Sequence, residues 1–386
     1  MQDVGVVCSM TAMTSSPLAL SMVQLTASVP LFLFALPAGA LADSGIRREL
    51  LLACTWWMIA ASVLLGLLAH RGLLSPLVLL LAVTLVELGA AAAAPAQETI
   101  TPDFVTDANL QQAVSLGGVG INLARLVGPT AAGLLIAAIG PSIVFFLNAA
   151  SLSGVVWLLI CRRAPFPLAV TATEPFWKSI KGGLRYVTKA RKLRGVLSLG
   201  GLFCLLAGGI WPLFPIVVRI QLKLGPVGYG LMVAAFGSGA MAGAWIMPRI
   251  ISRLSSHQIR AAAAFALGLS MAGLAVIRVI PLLAMTVILG GAAWITAVSN
   301  FNVAVLRLVE PRMRARTMAF YLMASYGGTS AGILLWGILA KETSLAEALM
   351  SAAVLMVLLG FGHLVLNAGS PDKNPSGASK SSAALL

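Results

Sequence analysis

The chain has 386 residues, 59% of them hydrophobic and 10% charged, and a net charge of +14. Soluble domains carry roughly 25% charged residues, so this chain lacks the polar skin a soluble protein of its size needs. Its apolar runs, about twenty residues each, are long enough to cross a hydrocarbon core of about 30 Å and do not alternate as barrel strands do; the expected class is an all-α polytopic membrane protein.

The runs follow in order. Met1–Met13 is moderately apolar, too short to span, and holds Gln2 and Asp3; it reads as the remnant of a first span. Span two is expected over Pro17–Ala42, span three over Glu49–Ala69 and span four over Pro76–Ala94. A polar connection, Gln97–Gln112, precedes span five (Ala113–Ile139) and span six (Pro141–Cys161). Arg162–Arg194 then holds nine Lys/Arg and one acid, Glu174. Phe176, Trp177, Ile180, Leu184 and Val187 recur there at helical spacing, the pattern of an amphipathic helix on an anionic membrane surface. Six more spans are expected over Gly195–Val218, Gly228–Pro248, Arg260–Ile277, Ile280–Val303, Thr317–Leu339 and Leu345–Asn367. The tail 368–386, rich in Ser, Gly, Pro and Lys, is expected to be disordered. This divides the chain into a first half (1–161), a basic linker (162–194), a second half (195–367) and the tail.

Charge sets the topology. If the loops after spans two, four, six, eight and ten face the cytoplasm with the tail, that side holds twenty Lys/Arg and the other side five, with Arg125 inside a span. Such a bias places both termini in the cytoplasm. Basic residues gathered in loops between spans also remove the nucleic-acid reading of a basic chain; the partner is the lipid bilayer. Cys8, Cys54, Cys161 and Cys204 lie in or beside apolar runs without metal or redox spacing, so no metal or cofactor is expected. No grouping of His, Cys, Asp and Glu offers a catalytic site, which argues against an embedded enzyme.

Ionisable residues inside spans are functional candidates by default. Arg125 in span five needs an inward face and a partner, and Glu87 in span four is the candidate for it. The two form a proton or substrate site or a structural ion pair, or Glu87 lies near the helix end and is solvated. His363 reads as a packing histidine, and Asn148, Asn300 and Asn302 as weaker polar candidates. Six spans, a long loop and six more, with a weak internal repeat between Pro76-Leu77 and Pro281-Leu282, is the layout of a transporter built from two repeated halves.

The loop between spans two and three reads GALADSGIRR. It resembles the signature loop of the major facilitator superfamily, with Gly39, Asp43, Arg47 and Arg48 matching, and Ile46 and Glu49 departing from the usual Gly and basic residue. The blocks MQDVGVV, VQLTASVPLFLFALPAGALAD, PAQETITPDFV, NLARLVGPTAAGLL and FFLNAAS are similar to the branch containing bacterial enterobactin exporters and related efflux proteins. The resemblance implies a major-facilitator fold of two six-helix halves, here eleven full spans plus a remnant of the first. It also implies that the start corresponds to the middle of helix one, its first part being absent. Asp3 then lies near mid-membrane, where a carboxylate could couple protons to export, with Gln2 and Asn122 as polar, substrate-binding neighbours. Asp43 and Arg47 would form a gate, and Gly128, Pro129 and Gly133 a bend like that of the drug antiporters, or a plain packing kink. The implied function is export of small amphipathic or hydrophobic molecules, drug- or siderophore-like, by proton antiport, from a monomer in a bacterial cytoplasmic membrane. An importer or uniporter of the same fold and a defective truncated copy are the alternatives.

Overall fold

The computed structural model describes residues 1–42, 47–99, 107–161, 176–251, 254–309 and 313–365. Among these residues every regular element is helical, as the composition requires. The first half contains α1 (Gln2–Met13), α2 (Pro17–Ala42), α3 (Arg47–His70), α4 (Pro76–Thr99), α5 (Asp107–Ile139) and α6 (Ser142–Cys161). A linker helix, α7 (Phe176–Lys189), follows. The second half contains α8 (Arg191–Ala207), α9 (Ile210–Pro215), α10 (Pro226–Ile251), α11 (Ser256–Val276), α12 (Ile280–Leu308), α13 (Arg314–Glu342) and α14 (Leu345–Val365). Ten helical stretches among the described residues are long and apolar enough to cross a membrane, and Leu123–Ile139 of α5 adds a shorter one.

Turn chemistry explains several boundaries. Proline sits at the first or second position of α2, α4, α10 and α12, where its fixed φ suits a helix start and its missing N–H costs nothing. Gly72 and Gly140 end α3 and α5 with φ of 66° and 107°, a left-handed cap that only glycine adopts freely. Ser255 and Gln258 close a reciprocal capping box on α11.

Packing repeats in the two halves. In the first, α3 lies on α6, α2 on α4 and α3 on α4; in the second, α11 lies on α14, α10 on α12 and α11 on α12. These are the same three pairings six spans apart. Between the halves, α2 packs on α13 and α5 on α10, which a two-fold relation also exchanges. One partnership is unequal. In the second half α8 packs extensively along α13, whereas its counterpart α1 meets α5 only briefly, because α1 is twelve residues long, about 18 Å at 1.5 Å per residue.

Two expectations are corrected. Span five begins at Asp107 rather than Ala113, since the polar residues before Ala113 continue its first turns. Span seven is not one continuous helix. It breaks at Gly208-Gly209, resumes as the six residues of α9 with Pro212 and Pro215, and finishes in a π-helical turn, Ile216–Gln221. Proline removes the N–H that would bond one turn back, and the wider π turn accommodates the loss. The break also serves packing: a Cβ on Gly208 would stand 2.9 Å from the carbonyl oxygen of Thr329, so α8 and α13 touch backbone to backbone there.

Candidate functional site

Depth locates the site. Counting from the helix ends opposite the basic loops, Asp3 is ten residues from Met13, Glu87 eleven from Pro76 and Phe236 ten from Pro226. At 1.5 Å per residue each lies about 15–17 Å in, half-way through a core of about 30 Å.

α1 carries the polar residues of the first half. Its length from Val4 to Met10 is buried, held against α6 at Gly5, where any side chain would meet Val144. This contact fixes Gln2 beside α6. There one amide nitrogen of Asn148 donates to Gln2 Oε1 and to Ser62 Oγ, the latter at 3.0 Å. Three polar side chains from α1, α3 and α6 thus satisfy one another at mid-depth. Asp3 follows Gln2 and is exposed. Glu87, half-buried, lies on α4, which packs against α1, so both carboxylates stand at mid-depth on neighbouring helices.

Arg125 takes a different place from the one expected. It is exposed, and no ion pair joins it to Glu87 among the described residues. The pair was inferred from consecutive antiparallel helices, but α5 turns this segment away: nearly every described side chain from Leu116 to Val127 is exposed. The backbone of Arg125 matters more than its charge, since its carbonyl oxygen would stand 3.1 Å from a Cβ on Gly237 of α10. Next to it Gly230 would overlap the carbonyl of Pro129, and Gly133 the carbonyl of Pro226. Gly133 and Pro129 therefore lie at a close crossing of α5 on α10, whereas Gly128 meets only Met1, at 3.9 Å. Pro129 lies inside a continuous α5.

Of the loop residues, Asp43 lies outside the described residues, as do the surroundings of Gly39 and the side chains of Arg47 and Asn122. Arg48 is described. Its guanidinium donates from Nε and Nη2 to the carbonyl of Leu159 at 3.0 and 2.8 Å, capping the last turn of α6.

Contacts between the halves line two seams, α2 with α13 and α5 with α10. Ser330 Oγ donates to Ser28 Oγ at 2.9 Å, Gly337 packs on Ser21 and Gly327 on Phe32. Arg219 of the π turn donates to Thr11 Oγ1 at 3.3 Å and to the Leu224 carbonyl at 3.0 Å. Among the described residues these contacts run from the ends away from the basic loops, at Thr11 and Arg219, to beyond mid-depth, at Phe32 and Gly327 on one side and Arg125 and Gly237 on the other.

The second half contributes aromatic rings that the sequence reading passed over. Trp211 of α9 meets Phe236 of α10 at 5.7 Å and Trp294 of α12 at 5.5 Å, both edge to face. All three are half-buried. Aromatic residues are only 7% of the chain, so three converging from separate helices had a signal in composition, but nothing in their spacing said which face each occupied.

No curated protein sequence is significantly similar to the chain. Crystal structures do resemble it. A point variant of the nucleoside transporter NupG superposes with a TM-score of 0.74 at 15% identity, covering 94% of each chain. A point variant of the peptide transporter POT gives 0.75 at 14% identity, covering 95% of this chain and 91% of that one. A bacterial homologue of the iron transporter ferroportin, in an inward-facing state, gives 0.67 at 15% identity over 94% and 95%. These likenesses establish the major-facilitator fold. A family model described as transmembrane secretion effector matches residues 1–381. The chain belongs to this transmembrane secretion effector family of major-facilitator transporters.

Proposed function

We propose that the protein is a secondary active exporter of small amphipathic or hydrophobic molecules, drug- or siderophore-like, driven by proton uptake. Ionisable groups at mid-depth carry this reading: Glu87 is half-buried on α4, eleven residues from its end, and Asp3 lies on the neighbouring α1, and carboxylates within membrane spans mark proton and substrate paths. The family description, a secretion effector, favours the outward direction.

In this reading residues 1–161 and 195–367 are the two bodies that rock past one another, joined by the linker 162–194 and followed by the tail 368–386. The protein acts as a monomer in a bacterial cytoplasmic membrane with both termini inside. Glu87 holds the coupling proton beside Asp3, Gln2 and Asn122 offer hydrogen bonds to cargo, and Asp43 and Arg47 govern closure on the cytoplasmic side.

Reconstitution tests it. Proteoliposomes with an imposed pH gradient and a panel of dyes, drugs and siderophores should show compound-dependent proton flux. Glu87→Gln should abolish that flux while leaving the protein folded. Compound movement indifferent to the gradient, or full proton flux in Glu87→Gln, would overturn the proton-driven reading.

A further inference from the structure

By hydropathy Arg260 opens the ninth span, at the edge of a basic loop. The structure carries it deeper. Ser255 and Gln258 cap α11 reciprocally and start it at Ser256, so Arg260 lies a full turn inside the helix, about 6 Å from its end at 1.5 Å per residue. The residue is 5% exposed. A guanidinium buried in a span is costly and needs compensation from its neighbours.

That compensation comes from its own helix and from α12. Nη1 donates to Asn300 Oδ1 at 3.0 Å, and Nη2 lies 2.9 Å from His257 Nδ1. A guanidinium only donates, so His257 accepts at Nδ1. Phe301, the next residue of α12, places its ring 5.5 Å from the guanidinium carbon, a cation–π contact that strengthens away from water. Asn300, Phe301 and His363 are all buried. Phe301 in turn stands 6.3 Å from the ring of His363 on α14 and 5.9 Å from that of Phe203 on α8. One cation thus joins α11 to α12, and the ring beside it carries the contact on to α14.

The first half holds a simpler version. Arg48, the second residue of α3, donates to the Leu159 carbonyl of α6. Leu159 is two residues from the end of α6, as His363 is from the end of α14. The pairings α3–α6 and α11–α14 are equivalent in the two halves. Each half therefore has an arginine near the start of its third span and a contact close to the end of its sixth, and the second half builds this from buried groups on three helices.

We infer that Arg260 is a positioning residue of the transport cycle: its guanidinium staples α11, α12 and α14 at the basic-loop end, so that the second half turns as one body. The inference rests on the transporter reading only for the motion that this rigidity serves.

Spin labels within each half test it, on the full chain in nanodiscs and in a background lacking the four native cysteines. One pair replaces Ala262 and Leu364 of the second half, the other Ala53 and Ile160 of the first; all four are exposed and occupy matching positions of the equivalent helices. Both distances should be narrowly distributed in the wild type. Arg260→Gln leaves Asn300 and His257 without their donor and should widen the second-half distribution about twofold or more, with the first-half pair unchanged. Asn300→Leu should widen it likewise, whereas Asn300→Asp, which keeps an acceptor, should stay narrow. Arg48→Gln should widen the first-half pair alone. If Arg260→Gln does not fold, Arg260→Lys is read instead: it keeps the charge but lacks the fork that serves two acceptors, so the second-half pair should still widen. A second-half distribution of wild-type width in the Arg260 variant, even with a lowered thermal midpoint, would make Arg260 a stabilising residue only and overturn the inference. Equal widening of both pairs, or a broad second-half distribution in the wild type, would also overturn it. No flux is measured, so failure of the proton-coupled assay would sink the export reading and leave this result standing.

Discussion

At Asn148, one amide nitrogen serves two acceptors on two other helices. Removing it leaves Gln2 and Ser62 without that donor at mid-membrane, where no bulk water replaces it. Such hydrogen bonds between membrane helices are worth about 0.6–2 kcal/mol. Asn148→Leu should therefore lower the thermal midpoint of the purified protein by a few degrees, while Asn148→Gln, which keeps an amide, should lose less. An unchanged midpoint in Asn148→Leu would show that the trio contributes nothing. Residue identity was informative here only in part. The sequence marks Gln2, Asp3 and Glu87 because polar groups in apolar runs are conspicuous. It ranks Asn148 low because nothing in one dimension says that α1, α3 and α6 converge. It pairs Glu87 with Arg125 because their helices are consecutive, whereas Arg125 is exposed and α4 packs against α1, the helix of Asp3.

Single elements carry the contacts between the halves. α5 and α10 cross where glycines allow backbones to touch, and Gly230 lies against the Pro129 carbonyl. Overpacking costs about 1–3 kcal/mol, and here that cost would fall on any arrangement in which α5 and α10 touch. Each 1.4 kcal/mol is tenfold in an equilibrium, so Gly230→Leu should shift the population toward opening there by about tenfold or more. Ser21 is fully buried at the neighbouring crossing. Alkylation of Ser21→Cys, in a background lacking the four native cysteines, should speed up correspondingly when Gly230→Leu is added; an unchanged rate would mean the crossing does not open. Gly208 tests a different contact, within the second half. Gly208→Leu would drive a side chain into the α13 backbone at Thr329 and Gly332, and should lower the thermal midpoint whether or not the halves move. A midpoint equal to wild type would show that α8 can shift away freely. Element positions were legible to within a few residues because apolar length fixes a span. The fracture of span seven was not read, although Gly208-Gly209, Pro212 and Pro215 were all visible: a break within twenty apolar residues does not interrupt hydrophobicity, which was the signal followed.

Across the whole molecule, equivalent pairings six spans apart give two bodies related by a two-fold, touching along α2–α13 and α5–α10. This organisation was legible from the count of spans, the long basic linker and the charge asymmetry of the loops. Conformation was not, because a sequence compatible with two arrangements does not state which one is populated. The account makes a joint demand on both sides of the protein: closure on one is opening on the other, and protonation at Glu87 shifts the balance. Spin-label distances measure this directly. One pair of labels would replace Gln97 and Leu308, exposed near the basic-loop ends of α4 and α12; the other would replace Arg71 and Arg278, both exposed at the opposite ends of the two halves. On changing pH across the titration of the site, the two distances should change in opposite senses, and Glu87→Gln should freeze both. Distances that stay fixed, that change together, or that respond to pH equally well in Glu87→Gln would contradict proton-coupled alternating access.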